Sequence, residues 1–175
     1  MMKKELTRRS FLKLAGAGAL AVAMSGSLTG CDVIDNLKDM DSVSAAIGDV
    51  KFMMSASAWT NGVGGQENDV TYQPTCEIRN NSKKAVTYGG IGSNCEVIIT
   101  GVLTDKNGKE YPMTYVGENG SAPAGEKYEV KDFKLVAVGK GLYMEGCKVV
   151  TTFAYNGKKA VFTDCDGGDF TSKVE

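Results

Sequence analysis

The 175-residue chain contains no histidine. That absence removes Ser-His-Asp and Cys-His catalysis and every zinc site that relies on imidazole. There is no Cys-x-x-Cys pair either, so no two thiols are held on one turn to start a metal or cluster site. The longest uncharged apolar run, residues 14–27, is about fourteen residues, too short to cross a hydrocarbon core of about 30 Å as a helix. Basic residues are not in excess: 20 Lys and Arg stand against 21 Asp and Glu. Nucleic-acid phosphates demand a cationic surface, so DNA and RNA are poor partners for such a chain.

What is present begins at the N-terminus. Lys3, Lys4, Arg8, Arg9 and Lys13 precede the apolar run, opposed only by Glu5. A positive section, a short apolar section and small residues before a processing point describe an export signal. Three glycines inside the run, Gly16, Gly18 and Gly26, argue against a buried helix, since each costs about 1 kcal/mol relative to Ala. The segment Thr7-Arg8-Arg9-Ser10-Phe11-Leu12-Lys13 resembles the twin-arginine motif of the bacterial Tat pathway. Leu28-Thr29-Gly30-Cys31 resembles the lipobox of bacterial lipoproteins, cut before the cysteine. The resemblance implies that Arg8 and Arg9 route the chain to the Tat machinery and that lipoprotein-processing enzymes acylate Cys31. Two or more acyl chains suffice to hold a domain stably on a membrane. The expected location is therefore the cell membrane, lipid-anchored and facing outside the cytoplasm.

Three segments are expected: a signal peptide at 1–30, a lipidated tether at 31–48 and one folded domain at 49–175. Removing the signal leaves 15 basic and 20 acidic residues, a net charge of −5. With Cys31 assigned to lipid, four cysteines remain, Cys76, Cys95, Cys147 and Cys165. An even set outside the cytoplasm is expected to form disulfides. In the tether, Val33, Ile34, Leu37 and Met40 fall near helical spacing.

From Asp49 the hydrophobic period changes to two. Strands are expected over 50–59, 70–79, 95–104, 110–116 and 127–137, followed by a hairpin of 147–155 and 158–164. In the first of these, Val50, Phe52 and Met54 alternate against Lys51, Met53 and Trp59. Pro74 has no donor and marks an edge or a bulge. Gly108 suits the left-handed position of a hairpin turn. About seven strands with regular turn signals predict an all-β, antiparallel immunoglobulin-like β-sandwich, with a barrel as the alternative. Asn80-Asn81-Ser82, Asp105-x-x-Gly108-Lys109-x-Tyr111 and Pro123-x-Gly125 resemble the pattern of DUF4352-like extracellular domains of bacterial lipoproteins. That likeness implies the same sandwich over about residues 50–163.

Four cysteines allow three disulfide connectivities, and sequence alone does not settle the choice. If Tyr155-Asn156-Gly157 form a three-residue turn, Cys147 faces Cys165 across the hairpin, and Cys76 is left for Cys95. A two-residue Asn-Gly turn shifts that register by one. The competing arrangement joins Cys76 to Cys147 across two sheets, as immunoglobulin domains do. Other candidate chemistry is sparse. Asp164, Asp166 and Asp169 surround two glycines and are candidate ligands for calcium, although they lack the closing Glu of an EF-hand. Trp59, Met53, Met54 and the tyrosines at 111, 115, 143 and 155 are candidates for a recognition surface or for core. The reading is a non-enzymatic binding or accessory module without a cofactor, acting on an extracytoplasmic protein or ligand. The rival is a redox or metal-carrying protein that uses the four cysteines.

Overall fold

A computed structural model describes residues 42–61 and 69–175. Arg8, Arg9, Cys31 and the predicted tether helix lie outside the described residues. Twelve strands are present among those described. They are β1 (Val43–Ile47), β2 (Val50–Asn61), β3 (Asp69–Asn80), β4 (Val86–Gly90), β5 (Val97–Thr104) and β6 (Glu110–Tyr115). The rest are β7 (Gly120–Ala122), β8 (Lys127–Glu129), β9 (Leu135–Val138), β10 (Lys148–Tyr155), β11 (Lys158–Cys165) and β12 (Phe170–Val174). β1 occupies part of the segment that the sequence read as tether, its Val43, Ala45 and Ile47 alternating with Ser44 and Ala46.

The all-β, antiparallel expectation holds, but the seven-strand sandwich does not. The strands form one sheet in the order β1-β2-β3-β9-β6-β5-β10-β11-β12, with β4, β7 and β8 attached beside this path. One short strand explains the difference. β9 pairs with Asp69–Tyr72 of β3 on one side and with Thr114 and Tyr115 of β6 on the other. It thereby stitches together the two layers that a sandwich would keep apart. At the far ends of the path, the Ser172 hydroxyl of β12 donates to the Ser44 carbonyl of β1 at 2.8 Å. The sheet is nearly closed into a barrel, which lessens the exposed edge that an open sheet carries.

The interior follows from period two. In β5, Val97, Ile99, Gly101 and Leu103 face inward, and in β10 Val149, Thr151, Phe153 and Tyr155 do the same. Phe153 is the centre of the core. It stacks on Phe52 at 4.9 Å between centroids and meets Phe162 edge-on at 5.5 Å and Phe133 at 6.1 Å. Offset and edge-on contacts of this kind contribute about 0.5–1.5 kcal/mol each beyond the area they bury.

β3 shows how the chain tolerates proline inside a strand. The Asn80 N–H bonds the Glu126 carbonyl, and the Cys76 carbonyl accepts from Val130, so the even-numbered backbone groups of β3 point toward β8 and β9. β8 covers Glu77–Arg79 and β9 covers Asp69–Tyr72, which leaves a gap beside Pro74. The missing N–H of Pro74 would have pointed into that gap, so no ladder bond is lost. On its other side, β2 carries a bulge between Ser55 and Ser57. The bulge reverses the alternation beyond it. Trp59, expected on the outer face, therefore turns in against the core residue Tyr72, ring edge to ring face at 5.1 Å.

The turn motifs behave as their chemistry dictates. The Asn80 side chain is fully buried, donates to the Lys84 and Ala122 carbonyls, and accepts from the Ser82 N–H and hydroxyl. Asp105 accepts from the N–H groups of Asn107 and Lys109, with Gly108 at φ 82° in the left-handed region.

Candidate functional site

The predicted chemistry is dispersed over the barrel. Its densest region is the end formed by the start of β3, the start of β10 and the loops at 105–109, 139–147 and 166–169. Asp164 reaches it on the inward face of β11, because the register places it opposite the inward Val149. Its carboxylate is 1% exposed and accepts the Tyr72 hydroxyl at 3.0 Å. Asp166, two residues on, accepts the Gly146 N–H at 2.9 Å and braces the neighbouring loop. Asp169 is exposed. The three predicted calcium ligands are thus divided between core, loop and solvent. Among the described residues no three His, Cys, Asp or Glu side chains come together in a metal-holding group.

Among the described residues, Cys76, Cys95, Cys147 and Cys165 are free thiols, and none of the expected disulfides is formed in the structure. For Cys147 and Cys165 the hairpin register gives the reason. Tyr155 pairs with Lys158 across a two-residue turn in which Asn156 and Gly157 have φ 48° and 74°. Two consecutive left-handed residues make the hairpin turn that Asn-Gly favours. Cys165 then faces Lys148, and Asp166 bonds back to the Cys147 carbonyl at 2.9 Å. Cys147 turns inward with Val149, while Cys165 lies on the opposite face of its strand. The Cys147 thiol donates to the Tyr143 carbonyl at 2.9 Å. Burial, followed by the charges of Asp105 and Asp166, pushes this thiol up and keeps it protonated.

Cys76 and Cys95 belong to a different environment. Cys76 is fully buried on β3, and that burial, with Glu77 adding to it, raises its thiol far above the ordinary range. The Tyr115 phenol is pushed up to about 12, first by burial and then by the charges of Cys76 and Cys95. Tyr88 and Tyr128 complete the group, their rings 6.0 Å apart, and burial together with the Tyr128 hydrogen bond raises Tyr88. Sequence reasoning singled out Tyr115 but not Tyr88 or Tyr128. No local signal connects those two, since the sheet brings them together from separate strands.

The recognition candidates divide in the same way. Met54 and Tyr155 are core, and Tyr111 and Tyr115 pack against it. Tyr143 alone of the four tyrosines is largely exposed, at 65%. It borders an open groove of about 140 Å³ with Asp105, Lys106, Leu142 and Glu145. Asp105 is held below the usual carboxylate range by the Lys109 N–H first and by the Asn107 N–H. The geometry offers a shaped, polar-rimmed loop surface over a packed interior.

Comparison with known proteins identifies the address. Residues 5–25 match the family described as TAT (twin-arginine translocation) pathway signal sequence. The chain is accordingly a Tat substrate, exported out of the cytoplasm by that machinery, and an all-β domain follows the signal. No curated protein matches the chain. No solved structure matches it either.

Proposed function

We propose that this protein is a lipid-anchored extracytoplasmic module that binds a partner through its loops and does not catalyse a reaction. The observation that carries the reading is the filled interior. Phe52, Phe133, Phe153 and Phe162 interlock at its centre. Among the described residues these side chains fill the middle of the small barrel, so recognition is assigned to the outer surface and loops. The functional groups support the same view. Asp164, Asp166 and Asp105 brace the fold through hydrogen bonds, and the Cys76 and Cys147 thiols are held in the protonated, unreactive form. The anchor in this reading is Cys31, with the lipobox resemblance Leu28-Thr29-Gly30-Cys31 as its support.

Intact mass and membrane fractionation test the anchor. The mature chain should begin at Cys31 and carry added acyl mass, and Cys31→Ala should release the protein from membranes or block processing. An unmodified chain that retains residues 1–30 would overturn the reading. Crosslinking in membranes tests the module: a partner should be recovered in stoichiometric amount, and failure to recover one would remove the binding role.

A further inference from the structure

We infer that the loop joining β9 to β10 rests on the interfacial layer of the anchoring bilayer, so that the barrel stands on this end and presents its opposite end outward. The inference rests on the anchoring at Cys31 proposed above, and strand direction carries it. β1 pairs antiparallel with β2, Val43 opposite Met54 and Ile47 opposite Val50. Its N-terminus therefore points toward the end at which β2 finishes and β3 starts. β9 pairs there with β3, Val138 opposite Asp69, so the loop after Val138 leaves from the same end. Residues 32–42 connect Cys31 to β1. Fully extended, they span at most roughly 40 Å. Because the chain enters β1 from this end, the loops here lie beside the point of attachment, within that distance of the lipid.

The loop has the surface that such a position favours. Tyr143 is 65% exposed and Val138 59% exposed. Lys140 is exposed between them. Tyrosine settles at the headgroup level of a bilayer, with its ring toward the acyl chains and its hydroxyl in water. A lysine stem lies along apolar surface while its ammonium reaches the phosphates. The loop is also pre-shaped. Leu142 N–H bonds the Gly139 carbonyl at 3.1 Å, Cys147 N–H bonds the Met144 carbonyl at 3.1 Å, and the Cys147 thiol holds the Tyr143 carbonyl. Asp105, Glu145 and Asp166 surround it together with Lys106 and Lys140, a mixed charge that suits a zwitterionic surface.

The test uses the chain from residue 31 with an N-terminal hexahistidine, captured on phosphatidylcholine vesicles that contain nickel-chelating lipid. Tyr143→Trp and, at the far hairpin, Asn156→Trp are compared with the parent, whose single Trp59 supplies the baseline. Brominated phosphatidylcholine should quench the tryptophan added at 143 and shift its emission to the blue, leaving the one at 156 unchanged. Equal quenching at both positions, or none at 143, would overturn the inference. Because the histidine tag replaces the lipid, a negative result here is separate from an unmodified Cys31 by intact mass, which would defeat the anchor itself.

Discussion

The hydroxyl of Tyr72 and the carboxylate of Asp164 meet inside a barrel wall whose other inward side chains are mostly apolar. A buried carboxylate keeps its place only while hydrogen bonds replace the water it has lost, so the donor matters more than its size. Tyr72→Phe removes that donor and leaves the ring packing against Trp59 nearly unchanged. The expected loss is about 1–3 kcal/mol in urea unfolding, the usual cost of taking a partner from a buried polar group. Unchanged stability would show that Asp164 does not depend on Tyr72. The same logic applies to Asn80, whose amide makes three hydrogen bonds within its turn and a fourth to the Ala122 carbonyl. An Asn at a strand end followed by Asn and Ser reads from sequence as turn chemistry. Its complete burial under the Ala122 carbonyl of β7 does not.

Strands β5, β6 and β9 meet at Gly101. The residue faces inward, opposite Met113 of β6 and Thr151 of β10. A Cβ placed there would lie 2.8 Å from a Leu135 methyl and 3.0 Å from the Met113 Cβ. Glycine thus allows the layers to approach where β9 bridges them. Gly101→Ala should destabilise the domain by about 1–3 kcal/mol through overpacking, measured as a lowered thermal midpoint. An unaltered midpoint would mean that Leu135 has room to move aside. The β2 bulge acts at the same level: one extra residue turns Trp59 from the outer face to the core, a change that simple alternation does not carry.

The whole molecule combines an export signal with a domain that closes on itself. Residues 5–25 match a Tat signal, and we propose that Arg8 and Arg9 are the pair the Tat route reads, so Arg8→Lys with Arg9→Lys should leave the precursor in the cytoplasm. Fractionation with immunoblotting follows this directly, and normal export of the double variant would assign the chain to the general secretory route. Retention of the mature domain outside the cytoplasm also sets the redox conditions for the thiols. Cys147, just before β10, is buried, while Cys165 stands opposite Lys148 and is half-buried.

Sequence alone determined the features that depend on near neighbours. The twin arginines, the short apolar run and Cys31 stand in one contiguous segment. Period-two alternation marked β2, β3 and β6, and the glycine at 108 marked a left-handed turn, because side-chain direction and backbone handedness are local properties. The hairpin register turned on a single residue. Asn156-Gly157 can close a two-residue turn or share a three-residue one, and the left-handed pair found there separated Cys147 from Cys165. Closure was decided only by the tertiary structure. β9 carries four residues and no distinctive pattern, yet its pairing with both β3 and β6 converts two layers into one wall. The seam between Ser44 and Ser172 joins strands more than a hundred residues apart. Such pairings depend on which edges remain unsatisfied after the rest of the chain has packed, and that quantity exists only in the assembled sheet.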